Sequence, residues 1–197
     1  MDDGIKSATD CEERIYHKGD LVFSEGECSQ TFHYLVEGQL SVFNFTPEGK
    51  EFIQHRVQEG NFFAEPAVLL QKPFPGHVEV YSKTAKVLKL KRLPFLEYLR
   101  DKPDQMLAFA MSVAEKSLRK SHSLKNLVFL NPEDQIYNHL QDYKTEHHCG
   151  ENKKMTVELT RKDLSLMTGL RIETVIRTVK RMEKSGRLEI VKGKIIV

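Results

Sequence analysis

The chain has 197 residues, 40% of them hydrophobic, with 30 Lys and Arg against 28 Asp and Glu. That composition suits one or two packed domains, and it contains no apolar run long enough to cross a bilayer as a helix. Three scattered cysteines, Cys11, Cys28 and Cys149, are too few for a disulfide framework or for the four thiolates of an iron–sulfur cluster, and they suit a reducing cytosol. Asp2 and Asp3 stand where a secretion signal would be basic and then apolar, so a cytoplasmic location is expected. The charge is unevenly placed. Residues 1–100 hold twelve Lys and Arg against fifteen Asp and Glu, whereas residues 155–197 hold ten against five. A basic C-terminal segment beside an acidic N-terminal one predicts that only the former meets a polyanion.

Short strands are predicted over residues 14–17, 21–24, 31–37, 40–45, 51–58, 78–82 and 85–91. Turns such as Lys18-Gly19-Asp20, Glu25-Gly26-Glu27, Thr46-Pro47-Glu48-Gly49-Lys50 and Glu59-Gly60-Asn61 separate them. Many short strands punctuated by Gly and Pro at regular spacing indicate a barrel or jelly roll. Phe62, Phe63 and Phe74 would line an apolar pocket in it or fill its core. Glu65 fits the start of a short helix, since an unpaired buried carboxylate is costly.

Residues 103–127 read as one long helix that is apolar over a wide arc. Met106, Ala110, Val113 and Ser117 make one stripe; Leu107, Met111, Ala114, Leu118 and Ser121 make its neighbour. One stripe can pack on the strands and the other on a second copy of the chain. We assign self-association to Met106, Ala110, Val113 and Ser117, the small residues among them permitting close approach. Residues 127–130 are expected to be a hinge. Asn131 followed by Pro132 is an N-cap with proline at the first helical position, opening a further helix. His147, His148 and Cys149 are ligand types for a soft metal, but adjacent residues rarely converge on one ion, so no metal site is expected.

Thr160 and Asp163 form a capping box that opens a short helix, and Gly169 ends it. A second helix restarts near Arg171. Val175, Val179 and Met182 recur at helical spacing and should face a core, which leaves Ile172, Glu173, Ile176, Arg177 and Lys180 outward. This is a helix-turn-helix. Ser185-Gly186 ends the second helix, and two short strands joined by Lys192-Gly193 form a wing. Glu173 and Arg177, four apart, share the groove face. Arg suits guanine O6 and N7, and Glu accepts from cytosine N4. Thr160, Arg161, Thr174, Arg181, Lys192 and Lys194 are expected on phosphates, setting register rather than sequence.

The stretch Tyr16 to Glu27 is similar to the opening hairpin of the cyclic-nucleotide-binding β-roll, and Phe32 to Leu40 is similar to its next strand pair. Followed by a helix-turn-helix, they make residues 12–197 resemble bacterial transcription regulators of the Crp–Fnr family. The resemblance implies an α+β chain: a jelly-roll sensor over 1–101, a dimerisation helix and hinge over 102–130, and a winged helix-turn-helix over 131–197. It implies a homodimer on a pseudo-palindromic duplex site, contact with RNA polymerase, and no enzymatic activity. The sequence Glu173-Thr174-Val175 with Arg177 matches the family's recognition core, which reads a G·C pair in half-sites similar to TGTGA or TTGAT. Ile172 departs from the arginine of cyclic-AMP receptors, and Ile176 replaces a small residue.

The ligand cassette also departs. Glu65 stands at the ribose carboxylate's place but follows Ala64 instead of Gly, and Pro75-Gly76 stand where Arg-Ser takes the cyclic phosphate. Proline offers no donor; Lys72 or His77 could supply only a substitute charge. The pocket, assigned to Phe62, Phe63, Glu65, Phe74 and His77, is therefore degenerate. No cofactor is expected and cyclic AMP is disfavoured. The competing reading is a small-molecule-binding signalling module whose basic end docks a protein.

Overall fold

The computed structural model describes residues 11–129, 131–147 and 153–197. The chain divides into two compact units, one ending at Ser117 and one beginning at Leu118.

Among the described residues the first unit holds eight strands: β1 (Cys11–His17), β2 (Leu21–Phe23), β3 (Thr31–Glu37), β4 (Gln39–Phe45), β5 (Glu51–Gln58), β6 (Asn61–Phe63), β7 (His77–Val80) and β8 (Thr84–Lys91). They form two four-stranded sheets, ordered β1-β8-β3-β6 and β2-β7-β4-β5, with antiparallel pairing throughout. This is the expected roll. All seven predicted strands are present within a few residues of their predicted bounds; β6 is additional. Gly38 makes the β3–β4 turn at φ 96°, and a Cβ there would lie 2.5 Å from the Thr84 carbonyl oxygen, so only glycine fits.

Period-two alternation sorts the aromatic residues of β3 and β6 onto two faces. His33 pairs with Phe63 and Tyr34 with Phe62 across the two strands. His33 and Phe63 pack with Phe23 and Phe74 between the sheets. Phe32 and Phe62 face the other way, onto α2 (Arg92–Arg100) and α3 (Pro103–Phe129), where Phe95 and Phe109 complete a mostly edge-to-face cluster. The short helix α1 (Glu65–Leu70) follows β6, with Ala64 before it in the left-handed region at φ 59°.

Phe109 sets the rotation of α3. It is buried, and Val113 packs on the same roll core. Val113 therefore belongs to the roll-facing side and not to the free side expected for it, because burying the largest side chain of this face outweighs the small-residue stripe. Met106, Ala110 and Ser117 are exposed. So is most of the neighbouring stripe, with Leu107 61%, Met111 55% and Leu118 60% exposed. The helix runs on to Phe129, through most of the segment expected as a hinge; Leu130 lies outside the described residues.

In the second unit α4 (Pro132–Glu146) begins at the expected cap, where the Asn131 side chain accepts from the backbone of Glu133 and Asp134. After β9 (Thr156–Val157) come α5 (Arg161–Thr168), α6 (Ile172–Lys184), β10 (Glu189–Val191) and β11 (Lys194–Ile196). The strands form one sheet ordered β10-β11-β9. Ile136, Leu140, Leu164, Val175, Val179, Met182 and Ile195 make the core. The capping box at Thr160 and Asp163 is complete, and Gly169 ends α5 at φ 70°. His147 stacks on Tyr143 at 4.0 Å between ring centroids; His148 and Cys149 lie outside the described residues. Among the described residues no group of three or more metal-ligating side chains occurs.

Candidate nucleic-acid interface and ligand cassette

Helix α6 is amphipathic because its apolar residues recur every three to four positions. Val175, Thr178, Val179 and Met182 are buried. Glu173, Ile176, Arg177, Lys180, Arg181 and Lys184 lie together along the opposite, solvent-facing side, and Ile172 is exposed one turn before Ile176. The four residues expected to meet bases, Ile172, Glu173, Ile176 and Arg177, thus share one solvent-facing surface, with Thr174 half-buried beside it. Lys180 and Lys184 continue the same face and were absent from the expected contact set, although their i, i+4 spacing from Ile176 and from each other already placed them there.

The residues expected on phosphates differ in their engagement. Lys192 is exposed at the wing tip, in a turn where Lys192 and Gly193 both have positive φ, 51° and 81°. Thr160 is exposed, but its hydroxyl accepts from the Asp163 backbone at 3.1 Å and donates to the Asp163 carboxylate at 2.8 Å. Arg161 is half-buried, and burial pulls its pKa below the usual guanidinium value. Arg181 donates from Nε to Glu133 at 2.9 Å, and Lys194 reaches both Glu158 carboxylate oxygens at 2.7 Å. Arg187 also donates to Glu133 and to Asp134, each at 3.0 Å, and its guanidinium lies 4.5 Å from the Tyr137 ring centroid. The hydrogen bonds from Arg187 and then Arg181 hold the Glu133 carboxyl below the usual carboxylate range. These acidic partners lie on α4 and beside β9, far away in the chain, so helical spacing did not reveal them.

The five cassette residues do not converge on one cavity. Phe62 packs outward on Phe95 and Phe109. Phe63 and Phe74 belong to the interior, Phe74 stacked on Phe23 at 3.8 Å between centroids. His77 stacks on Phe43, its Nδ1 accepting from the Glu25 backbone at 3.3 Å. Glu65 opens α1 as expected, yet it is buried, and Lys116 from α3 meets it at 2.5 Å. Lys116 was not among the expected site residues; it lies two turns beyond Phe109 and one turn beyond Val113, on the roll-facing side that Phe109 defines. The Pro75 carbonyl oxygen accepts from the Asn44 side-chain amide at 2.7 Å. A Cβ on Gly76 would come within 3.0 Å of the Phe43 carbonyl oxygen. Arg56, on β5, stacks over Tyr81 at 3.5 Å from the ring centroid.

A jelly-roll of the cyclic-nucleotide-binding type together with a winged helix-turn-helix defines a DNA-binding transcription regulator. Residues 13–102 match the cyclic nucleotide-binding domain and residues 135–197 match the Crp-like helix-turn-helix domain. The chain belongs to the Crp–Fnr family of transcription regulators. It is 24% identical to the cAMP-activated global transcriptional regulator CRP of Pasteurella multocida, over 95% of this chain and 90% of that one. To the protein of the same name from Salmonella typhimurium it is 25% identical, over 95% and 89%. The fold superposes on the c-di-GMP responsive global regulator CLP of Xanthomonas campestris with a TM-score of 0.81 and 17% identity, covering 100% of this chain and 99% of that one. No helix among the described residues is long and apolar enough to cross a membrane.

Proposed function

We propose that the protein is a cytoplasmic regulator that binds a pseudo-palindromic duplex site as a homodimer and does so without cyclic AMP. The observation that carries this reading is the exposed face of α6, where Ile172, Glu173, Ile176 and Arg177 stand together beside Lys180 and Lys184. Glu173 and Arg177 pair with cytosine N4 and with guanine O6 and N7. Lys192 at the wing tip, with Lys180 and Lys184, holds phosphates. Self-association uses the exposed side of α3, chiefly Leu107, Met111, Ala114 and Leu118, flanked by Met106, Ala110 and Ser117. Two linked readers then span half-sites about 34 Å apart, and the bound dimer contacts RNA polymerase.

The effector pocket is degenerate in this reading. The two CRP relatives named above are cAMP-activated, but here Pro75-Gly76 replaces the phosphate-binding pair, Phe74 fills the interior, and Glu65 is already neutralised by Lys116. The test is a titration of the full chain with a site recovered from a random duplex library and with random duplex, at several salt concentrations. Preference for the recovered site, with affinity falling steeply as salt rises, is the expected result. Equal binding to both duplexes, or none, would favour a basic surface that docks a protein.

A further inference from the structure

Ile172 and Ile176 are the two apolar side chains on an otherwise polar and charged surface. They are 39% and 41% exposed, and neither belongs to the core of the second unit or to the partly buried residues packed on it. Four residues apart on one helix, they sit on the same side and flank Glu173, with Arg177 following. Branched aliphatic side chains in that position gain nothing from water and cannot hydrogen-bond to a base edge. What the major groove offers to such a side chain is the C5-methyl group of thymine.

We infer that Ile172 and Ile176 read thymine methyl groups next to the G·C pair contacted by Arg177 and Glu173, so that the half-site carries a thymine at each position. This rests on the DNA-binding reading above and deepens it. A four-residue step is about 6 Å along a helix, so the two methyls lie within about two base steps of each other. Each contact removes one methyl from water, worth about fourfold in affinity.

The experiment uses the full chain and a half-site recovered from a random duplex library. Each thymine of that site is replaced singly by uracil, which removes the methyl and leaves the pairing and the groove's donors and acceptors unchanged. Affinity should fall about fourfold at one thymine for each isoleucine. Ile176→Ala and Ile172→Ala should each become indifferent to uracil at one of these positions while still responding at the other. Both side chains lie outside the core, so both variants should remain folded. A recovered half-site without thymine, uracil that is neutral at every position, or alanine variants that respond to uracil as the parent does would overturn the inference while leaving DNA binding intact. Failure to prefer any duplex over random sequence would instead remove the DNA-binding reading, and this inference with it.

Discussion

Lys116 Nζ lies 2.5 Å from a Glu65 carboxylate oxygen and 2.7 Å from the Phe62 carbonyl oxygen. One ammonium on α3 therefore satisfies the carboxylate that opens α1 and the end of the strand before it. Glu65 is 2% exposed and Lys116 22%, so water compensates little if either is removed. Lys116→Met should destabilise the protein by about 3–5 kcal/mol, because it leaves a buried charge unpaired, whereas replacing both residues by leucine should restore most of that loss. Urea unfolding of the two variants checks this; an unchanged midpoint for Lys116→Met would rule out the ion pair as a structural tie.

Cyclic AMP should not bind at physiological concentration. Its phosphate would enter a region where Pro75 has no donor and Gly76 lies against the Phe43 carbonyl oxygen, and its ribose would have to displace Lys116 from Glu65. Loss of the charge-assisted pair to the phosphate costs at least about 3 kcal/mol, more than a hundredfold in affinity. Calorimetric titration with cyclic AMP and cyclic GMP should show no binding at tens of micromolar. A dissociation constant near or below about ten micromolar, coupled to tighter DNA binding, would show that another group has taken the arginine's role.

Acid should weaken the roll through His33. Its ring is buried among Phe23, Phe63 and Phe74, and Nδ1 has no hydrogen-bond partner among the described residues. Burial, with a smaller contribution from the charge of Lys89, pushes its pKa down to about 3 from 6.5. The folded state thus resists a proton that the unfolded chain accepts. The stability from neutral His33 is present above about pH 6.5 and is lost as pH falls toward 3, at up to about 1.4 kcal/mol per pH unit. Urea midpoints between pH 7 and pH 4 should fall less for His33→Leu than for the parent; parallel curves would exclude His33 as the cause.

Arg177→Ala should cost about 1–3 kcal/mol on the preferred duplex and relax discrimination at one G·C pair. Lys192→Ala should weaken all sequences alike and reduce the salt slope by about one unit. Competition binding against single-base variants distinguishes the two. Should Arg177→Ala behave as Lys192→Ala does, Arg177 contacts the backbone and not a base.

Met111→Asp or Leu118→Asp should yield a folded monomer with weakened DNA binding, since charge on the exposed side of α3 would be buried without a partner on association. Val113→Asp should act differently: Val113 packs on the roll core, so its charge should destabilise the fold. Sedimentation separates the outcomes, and a parent chain that is monomeric at micromolar concentration would remove the dimer proposal.

Local patterns carried much of this architecture in the sequence. Thr160 with Asp163, Asn131 with Pro132, and Lys192 with Gly193 are short-range devices whose geometry depends on neighbours a few residues away, and all three form as read. The outward face of α6 was legible for the same reason, since a 3.6-residue period leaves Ile172, Glu173, Ile176 and Arg177 opposite Val175, Val179 and Met182. Contacts between distant segments were not legible. On α3 two adjacent stripes were nearly equivalent in apolar character, and the choice between them fell to Phe109, which meets Phe32, Phe62 and Phe95 from three other elements. That packing turned Val113 inward and brought Lys116 to Glu65, 51 residues away. It is also long-range pairing that gives Arg181 to Glu133 and Lys194 to Glu158. Periodicity assigns a residue to a side of its own helix, but the burial of large side chains across elements decides which side turns inward and which charges meet.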